Sequence, residues 1–471
     1  MQKNYAVELT ILVSATLVVG ITVTAWVAGS RVPDVETRVP VERKKPQASA
    51  ESEEPKNPGT LIEGPGKAAD LPGTWVQFRG KDRTNIARDA SNLARSWSSG
   101  QPEVAWSIEV GEGHAGVVVR NGRVYIDDYL REPKEDAIRC LSLATGKEIW
   151  RYTYSVTVKR NHGMSRTTPA VTDDYLVALG PKCHVHCLDA KTGEKVWMKD
   201  LPDEFDTTVP PWYAGQCPLI EGDSVIIAPA ADPLMMKVKL ETGEIVWKTP
   251  NPGGWGMTHA SIMPVEYNGS KQYVYCTTKG VVGVSAETGE LLWKFPDWTI
   301  TIATIPSPLD CGNGRILLAG GYKAGAMMIQ LTGEGKNITP EIVFEHKDTT
   351  WGAEQHTPIL YKDHIYGIIP SGELACMDLD GNRLWTSGKK HTFGLGPFLI
   401  ADGLIFAVEG HEASLHVAEA TPNGFEELAS KSVLDGPDAW GPMTLAGGRL
   451  FVRDLTDLVC LKLPQSTEDG G

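Results

Sequence analysis

The sequence predicts an all-β fold, an eight-bladed β-propeller of four-stranded blades. A seven-residue signature recurs along the chain, and every copy carries a Gly four residues before a Trp. Four copies end at Trp150, Trp197, Trp247 and Trp293, at successive spacings of 47, 50 and 46 residues. A shortened copy ends at Trp385, 92 residues further on, which is twice 46 and leaves room for one copy without the signature. A repeat of about 40–50 residues is typical of propellers, solenoids and arrays.

One repeat, residues 166–200, contains four short apolar segments separated by turns and shows no helical periodicity. The predicted strands are residues 166–171, 175–179, 185–189 and 195–198. Gly193 supplies the positive φ that the hairpin turn before the last strand requires. Four strands in a repeat of this length predict a propeller blade, whereas a β-sandwich array needs more strands per unit.

The recurring Trp and Gly are interpreted as structural. A Trp at the same place in each outer strand is expected to wedge between adjacent blades and bury a large apolar surface. The residues predicted to be structural are Trp106, Trp150, Trp197, Trp247, Trp293, Trp385, Gly146, Gly193, Gly243, Gly289 and Gly381.

The two ends of the repeat region complement each other. Residues 103–108 resemble an isolated outer strand, and residues 441–463 hold three strands without a fourth. The N-terminal strand is therefore expected to complete the last blade and close the ring, which removes open sheet edges. Phe344 and Leu428 are expected at the Trp position of the two blades that lack the signature. The blades are predicted to begin near residues 114, 164, 213, 257, 302, 353, 394 and 440.

The N-terminal region carries a membrane signal. Residues 9–28 form an uncharged run of 20 residues, long enough to span a bilayer. Residues 1–29 are interpreted as an uncleaved anchor, with a cleaved signal peptide as the alternative. Residues 30–73, rich in Pro, Glu, Lys and Ser, are predicted to be a disordered linker. The propeller is assigned to residues 74–463 and a tail to residues 464–471.

Composition narrows the partners. The net charge of −14 argues against a nucleic-acid backbone as a partner. The eight cysteines are expected to be buried small residues, although an even count in an exported protein permits disulfides. The tract Cys183–Cys187 resembles a metal site, but alternation along a strand places its two Cys and two His on opposite faces. No metal site is predicted there or elsewhere in the repeats.

The loops that lead into the innermost strands are expected to gather on one face, around the central channel, where functional residues of such folds lie. They carry many imidazoles and indoles. The candidate ligand-binding residues are His114, Asn161, His162, Arg166, Trp212, Tyr213, Gln216, Trp255, His259, Trp351, Glu354, His356, His391, Asp438 and Trp440. This surface suits a planar ligand, a sugar or a peptide. The alternative is that the recurring Trp-Gly pairs pack blades and the His are solvated. No catalytic motif assigns a reaction class, so the catalytic residues stay unknown.

The Thr-Gly-x-x-x-Trp blades resemble the pyrroloquinoline-quinone-type repeat over residues 75–463. Trp75-Val76-Gln77-Phe78-Arg79-Gly80 is similar to the W-P-Q-F-R-G opening segment of propellers from planctomycete-type bacteria, with Val76 where Pro is usual. The resemblance implies a propeller fold and export. The positive-inside count, with five Lys and Arg just after residues 9–28, instead predicts a cytoplasmic C-terminus, and we favour export.

Two branches of this superfamily imply different functions. Quinoprotein alcohol dehydrogenases bind the quinone with Ca²⁺ over the channel, using a Glu, Asn and Asp set, and commonly carry adjacent cysteines. This chain has no Cys-Cys pair, and only Glu354, Asn161 and Asp438 are candidates by position. The propeller lipoprotein of the barrel-assembly machinery is a scaffold without catalysis. This chain has no lipobox Cys near residues 9–28, because its first cysteine is Cys140.

The favoured function is a membrane-tethered, non-catalytic propeller that binds a protein or polymer in the cell envelope, without a cofactor. The alternative is a quinone-dependent oxidoreductase, acting on an alcohol or a sugar, with pyrroloquinoline quinone and Ca²⁺ over the channel. Other enzymes, such as sugar-processing ones, are the remaining alternative.

Overall fold

The computed structural model describes residues 59–161 and 163–466, whose strands form eight sheets. Three strands precede the first blade: β1 (Thr60–Glu63), β2 (Ile86–Ala87) and β3 (Glu103–Glu109). Blade one holds β4 (Val117–Arg120), β5 (Arg123–Leu130), β6 (Glu135–Ser142) and β7 (Glu148–Ser155). Blade two holds β8 (Ala170–Val171), β9 (Tyr175–Leu179), β10 (His184–Asp189) and β11 (Lys195–Asp200), followed by the short helix α1 (Leu201–Phe205). Blade three holds β12 (Leu219–Glu221), β13 (Ser224–Ile227), β14 (Met235–Lys239) and β15 (Ile245–Thr249).

The remaining blades follow the same order, from the innermost strand outwards. Blade four holds β16 (Met263–Tyr267), β17 (Ser270–Thr277), β18 (Gly280–Ser285) and β19 (Leu291–Phe295). Blade five holds β20 (Leu309–Asp310), β21 (Arg315–Gly320), β22 (Gly325–Thr332) and β23 (Thr339–His346), with a 3₁₀ turn at Gly335–Asn337. Blade six holds β24 (Ile359–Tyr361), β25 (His364–Ile368), β26 (Leu374–Asp378) and β27 (Arg383–Thr386). Blade seven holds β28 (Phe398–Ala401), β29 (Leu404–Val408), β30 (Ser414–Glu419) and β31 (Glu427–Ser432). Blade eight holds β32 (Thr444–Ala446), β33 (Arg449–Arg453) and β34 (Asp457–Lys462).

The ring closes between its two ends. Strand β3 pairs with β34 as the outer strand of blade eight, so the N-terminal part of the repeat region completes the last blade. The innermost strands of blades eight and one, β32 and β4, also contact each other. The all-β, eight-bladed propeller predicted from the repeat is therefore confirmed.

Every outer strand carries a β-bulge at the same register position. At this position one residue pairs with the third strand, and the residue before it is left without a partner. In chain order the paired residues are Trp106, Trp150, Trp197, Trp247, Trp293, Phe344, Trp385 and Ala429. Phe344 therefore takes the Trp position in blade five, as the spacing predicts. In blade seven that prediction was wrong, because the bulge leaves Leu428 unpaired and puts Ala429 there.

Most of these Trp side chains pack against a signature Gly of the next blade. A Cβ placed on Gly193 would lie 2.6 Å from Trp150 Cδ2, and one on Gly243 would lie 2.9 Å from Trp197 Cγ. The same contact joins Gly146 to Trp106 and Gly289 to Trp247, and Gly381 packs on Phe344. We call this contact the Gly–Trp clasp. It lies between adjacent blades and leaves no room for a larger residue.

The predicted linker differs from the structure at its C-terminal end. Thr60–Glu63 forms β1, which pairs antiparallel with β7 as a fifth strand outside blade one. Leu61 packs on the cluster that contains Trp150, so this stretch covers the outer edge of the first blade. Within the predicted linker, Thr60–Glu63 is therefore a strand and not disordered, and residues 30–58 lie outside the described part of the chain.

The other terminal predictions fall largely outside the described residues. The predicted span, residues 9–28, is among them, and so are residues 467–471 of the predicted tail. Within residues 59–161 and 163–466, no helix is long and apolar enough to cross a membrane. Gln465, in the predicted tail, forms an isolated bridge with Leu93.

All eight cysteines are buried and free of disulfides. Cys140, Cys187, Cys376 and Cys460 pair with the Trp of the bulge in their own blades, which explains their equivalent spacing along the chain. Along the tract Cys183–Cys187 the two thiols belong to the core between blades two and three. His186 faces the other way and packs on Tyr154 of blade one, with ring centroids 4.3 Å apart.

Candidate functional site

The central channel is crossed by residues 75–87, which we call the axial segment. The segment enters beside blade one, where Trp75 and Val119 exchange two backbone hydrogen bonds of 2.9 and 2.8 Å. It then reaches blade two, where Val76 O accepts a 2.8 Å hydrogen bond from Val171 N. It leaves along blade seven, where β2 pairs in parallel with the inner strand β28. One stretch of chain therefore joins blades that are not all adjacent in the ring.

Two buried arginines hold the axial segment in the channel. Arg79 donates from Nη1 to Thr357 O at 2.8 Å and from Nη2 to Pro358 O at 2.9 Å, both at the start of blade six. Arg83 donates to Ile262 O of blade four at 2.8 Å and to the carbonyls of Cys217 and Pro218 of blade three. These carbonyls lie just before the inner strands β12, β16 and β24. The guanidinium groups thus supply hydrogen bonds to these carbonyls.

Three further residues of the axial segment shape its turn or bond it to the blades. Gln77 accepts a 3.1 Å hydrogen bond from Ile220 N of blade three. Gly80 has φ +85°, and its Cα faces the buried ring of Trp75. Asn85 donates to Phe398 O of blade seven at 2.6 Å. The axial segment therefore forms a compact turn that bonds outward to the ring.

A belt of short side chains runs around the channel just before the inner strands of blades two to six. Each backbone N–H donates to the side chain of the equivalent residue in the next blade. The bonds run from Gly116 N to Thr168 Oγ1, Thr168 N to Cys217 Sγ, Cys217 N to Ser261 Oγ, Ser261 N to Ser307 Oγ and Ser307 N to Thr357 Oγ1, at 2.8–3.2 Å. This belt links the inner ends of blades one to six.

Above the belt lies a cavity of about 840 Å³, its open mouth included, which we call the channel-face cavity. Phe78, Arg79 and Asn85 of the axial segment contribute to its lining. The other face of the segment borders a separate, shallower hollow of about 1530 Å³ that includes Lys81, Asp82 and Glu221. The axial segment therefore separates two chemically different ends of the channel.

The wall of the channel-face cavity is formed by loop residues from several blades. The ring of His114 stacks on Trp440, with centroids 5.1 Å apart and an angle of 24° between the planes. His259 lies opposite Arg166 and contacts Trp212, with ring centroids 6.2 Å apart.

His356, Gln355 and the belt residues complete the polar lining. The cavity is thus lined by aromatic rings, imidazoles, guanidinium groups and hydroxyls.

The charge of this cavity follows from burial. Burial lowers the pKa of His259 to about 4, and the charge of Arg166 lowers it further. Burial likewise lowers the pKa of His356 to about 4, with a contribution from Arg79. Both imidazoles are therefore neutral at pH 7. Burial lowers the pKa of Arg79 to about 9 and that of Arg166 to about 10, so both guanidinium groups stay charged. Among the described residues of the lining, no side chain is a carboxylate.

The structure brings five of the predicted site residues to the cavity: His114, Arg166, His259, His356 and Trp440. Three others belong to the packing of the blades. Trp255 and Trp351 are buried in hydrophobic clusters, and Gln216 exchanges hydrogen bonds of 2.9 and 3.1 Å with the backbone of Ala228. The Trp-Gly pairs thus have different roles, since only Trp440 faces the cavity.

The remaining predicted residues lie around the mouth or away from it. Trp212 touches His259 at the rim, and the hydroxyl of Tyr213 bonds to the backbone of Lys159. Glu354 is exposed, and Asn161 accepts from Arg166 through its backbone carbonyl at 2.5 Å.

Neither Glu354, Asn161 nor Asp438 is part of the cavity lining. His391 lies between blades six and seven, close to Glu427. His162 lies outside the described residues.

Sequence reasoning missed the part of the site that the axial segment provides. Phe78, Arg79 and Asn85 precede the first blade in the sequence, so no repeat position assigns them to the channel. A signal was present, because two Arg lie within four residues of each other in a segment without strand alternation. The serine and threonine belt also has a signal, since Thr168, Ser307 and Thr357 all directly precede a proline.

Comparison with known families identifies the repeat. The family described as outer membrane protein assembly factor BamB, a pyrroloquinoline-quinone-type propeller family, matches residues 134–387, more than half of the chain. The chain belongs to this family. Comparison with curated proteins gives no sequence match.

Solved structures of BamB-type and quinoprotein propellers share the fold of this family member. BamB from Moraxella catarrhalis is 12% identical, with a TM-score of 0.52 over 76% of this chain and 98% of its own. Quinohemoprotein alcohol dehydrogenase from Comamonas testosteroni is 13% identical, with a TM-score of 0.56 over 85% of this chain and 83% of its own. The alcohol dehydrogenase ADHIIG from Pseudomonas putida HK5 is also 13% identical, with a TM-score of 0.54 over 84% and 81%. At these identities the likeness concerns the fold alone.

Proposed function

We propose that this chain is an exported, membrane-tethered propeller without catalytic activity, which binds an anionic group of a protein or polymer in the channel-face cavity. One observation carries the proposal. The cavity combines two charged arginines with neutral imidazoles and lacks a carboxylate among its described lining residues, although the chain as a whole has a net charge of −14. A local excess of positive charge in an acidic protein favours an anionic ligand.

Unused polar atoms in the cavity support a ligand. Arg166 Nε, His259 Nε2 and Trp440 Nε1 are buried without a hydrogen-bond partner among the described residues. Buried polar groups without a partner are uncommon and call for an explanation. A carboxylate or another anion at the cavity would accept hydrogen bonds from Arg166 and Trp440, while the His114–Trp440 stack offers a flat apolar surface.

The family supports a binding role in the cell envelope. Its description names an outer membrane protein assembly factor, and a structural relative is itself called BamB. By analogy, we expect a protein partner before a polysaccharide, and we expect residues 9–28 to tether the propeller to a membrane.

The alternative function is quinone-dependent oxidation, which the names of two structural relatives suggest. The resemblance to those enzymes implies a Ca²⁺ ion held by oxygen ligands, because Ca²⁺ prefers oxygen. The three candidate ligands, Glu354, Asn161 and Asp438, lie outside the cavity lining, and no other described lining residue is an Asp or Glu. The donor set therefore does not fit the quinone and its metal.

The proposal is tested by binding measurements on the full chain in mild detergent. The probes are a peptide library with free terminal carboxylates, the same library amidated, polygalacturonate, and pyrroloquinoline quinone with Ca²⁺. Arg166→Met is the test variant, and Arg160→Met is the matched control, because Arg160 is exposed and pairs with Glu112.

We expect free-carboxylate peptides to bind. Arg166→Met should lower their affinity at least about tenfold, which corresponds to the loss of one charge-assisted hydrogen bond. Arg160→Met should leave binding unchanged. Equal loss in both variants, or no binding by peptides and polygalacturonate, would contradict the proposal. Saturable quinone binding with dye-linked alcohol oxidation would replace it by the oxidoreductase.

A further inference from the structure

A second cluster of polar side chains lies away from the channel, between blades six and seven. His391 belongs to the connection between β27 and β28, His416 lies on β30 and Glu427 begins β31. His416 Nδ1 is 2.5 Å from Glu427 Oε2, and His391 Nδ1 is 3.5 Å from the same oxygen. One ligand atom from each residue lies within 4.8 Å of the other two. We propose that these three side chains bind a divalent cation of the zinc class.

The local fold explains why the three residues meet. The β-bulge in blade seven pairs Glu427 with Ala418, two residues after His416, so the carboxylate reaches back along the strand to the imidazole. Phe393 packs edge-on against His416, with ring centroids 5.4 Å apart. Phe425 packs against His391 at 5.3 Å. These rings restrict the orientations of both imidazoles, which favours a preformed site.

Outer hydrogen bonds support the ligand assignment. His416 Nε2 lies 2.9 Å from Ser414 Oγ, so its second ring nitrogen is held while Nδ1 faces the cluster. Ser430 Oγ donates to Glu427 Oε1 at 3.2 Å, which leaves Oε2 toward the two imidazoles. Metal-binding His and carboxylates typically have such partners, because these fix the tautomer and the direction of the ligand atom. A structural ion pair between one His and one Glu would need neither the second His nor these additional hydrogen bonds.

The chemistry and spacing suit zinc. Zinc takes imidazole nitrogens and carboxylate oxygens at about 2.0–2.2 Å in a tetrahedral arrangement, so ligand atoms lie roughly 3.3 Å apart. The His391–Glu427 separation of 3.5 Å already matches this value. The His416–Glu427 hydrogen bond would have to open by less than about 1 Å. The His391 side chain is 36% exposed, which gives the ion access and leaves a fourth position for water.

The position gives such a site a structural purpose. Blade seven has Ala429 at the bulge position, where the other blades have Trp or, in blade five, Phe344. Phe425 stands four residues before Ala429, in place of the signature Gly. The Gly–Trp clasp is therefore missing at the junction of blades six and seven, where Trp385 contacts Phe425 instead. A cation held by His391 and by two residues of blade seven would fasten this junction in its place.

The test uses the untagged full chain, because an affinity tag of histidines would bind zinc itself. Zinc uptake is measured by calorimetry and by metal analysis after dialysis. The variants are His391→Ala, Glu427→Gln and Ser430→Ala. His364→Ala is the matched control, because the ring of His364 bonds to the backbone carbonyl of Lys362 and does not belong to the cluster. Circular dichroism without zinc checks that each variant is folded.

We expect one zinc per chain in the wild type and in His364→Ala. Loss of a ligand in His391→Ala or Glu427→Gln should weaken zinc by more than about 100-fold, whereas Ser430→Ala, which removes an outer partner, should cost roughly tenfold. Zinc should raise the melting temperature of the wild type and not that of Glu427→Gln. Stoichiometric zinc in all variants, or none in the wild type, would overturn the proposal.

Discussion

At the rim of the propeller a Gly packs on a Trp of the preceding blade at four junctions, whereas at the axis one segment bonds to six blades. The rim contact is repeated, as in the pairs Gly193–Trp150 and Gly243–Trp197. The axial contact occurs once and depends on Arg79 and Arg83, which reach carbonyls more than 130 positions away in the sequence. The rim contacts thus join adjacent blades, while the axial contacts join blades that are not adjacent in the ring.

The two kinds of contact have different consequences for the stability of a repeat protein. In a solenoid, stability is approximately a sum of terms between adjacent repeats. Ring closure by β3 adds one long-range contact here, and the axial segment adds several more. We therefore expect a change at the axis to weaken the whole ring, and a change at the rim to weaken one junction.

The largest effect is expected from breaking the axis. Arg83→Ala removes a buried guanidinium and leaves the carbonyls of Ile262, Cys217 and Pro218 without their donor. We expect the free energy of unfolding to fall by about 4 kcal/mol, near the upper end for one substitution, because each unsatisfied buried group costs about 1–3 kcal/mol. Urea denaturation of the full chain measures it.

Arg88→Ala is the control on the same stretch of chain. Arg88 pairs with Asp82 in solvent at 2.9 Å, and such surface pairs contribute about 0–1 kcal/mol. A similar loss of stability in both variants would mean that the axial segment does not hold the blades.

The next effect concerns the rim. Gly193→Ala introduces a Cβ 2.6 Å from Trp150 Cδ2 at a residue with φ +79°. We expect a loss of about 3 kcal/mol, the sum of about 1–2 for the left-handed backbone and 1–3 for overpacking. Gly222→Ala is the control, since φ is +60° but nothing lies within 4 Å of its Cβ.

Gly222→Ala should cost about 1 kcal/mol, from the backbone alone. The difference between the two variants, measured by urea denaturation, isolates the Gly–Trp clasp. If both lose the same amount, the Trp does not clasp the Gly.

The smallest effect concerns a buried polar contact within blade one, between β6 and β7. Asp136 is buried and accepts a 2.6 Å hydrogen bond from Tyr154, while burial and the charge of Asp128 raise its pKa to about 7. The folded state therefore holds this proton more tightly than the unfolded chain, in which the carboxyl has its ordinary pKa of 3.8. Its contribution is complete below pH 4 and is lost as the pH rises toward 7.

Asp136→Asn should remove this part of the pH dependence. We expect the variant to gain about 1–2 kcal/mol over the wild type at pH 8, less than the shift in pKa alone implies, because the amide brings an N–H group that needs an acceptor. Urea denaturation at pH 5 and pH 8 measures both proteins. An unchanged difference between the two pH values would show that Asp136 does not titrate in this range.

The repeat made the rim predictable from particular residues. The hairpin turn before Trp197 and the strand Tyr175–Leu179 lie where the signature predicts, because turn chemistry and alternation are local. The prediction failed at Leu428, where the bulge shifts the register by one residue and puts Ala429 opposite the third strand. Blade seven has no aromatic residue at the bulge to mark the position, whereas Phe344 marks it in blade five.

The candidate site was predicted only in part. His114, His259 and Trp440 reach the cavity because loops before inner strands converge on the axis. Trp351 shares the Trp-Gly pattern and yet is fully buried in a core, since the pattern does not state which way the loop turns. Arg79, which lines the same cavity, was not predicted because its hydrogen-bond partners lie 278 and 279 positions away in the sequence.

By itself the sequence determined the number of blades, their strand order and the closure of the ring. These depend on a short-range code, in which Gly fixes a turn and Trp fills the space beside it. Only the tertiary structure decided that residues 75–87 cross the channel and that β1 covers blade one. It also decided which imidazoles lie close together, both at the channel-face cavity and at His391 and His416. Such contacts join parts of the chain that no repeat relates, so their partners exist only once the ring has closed.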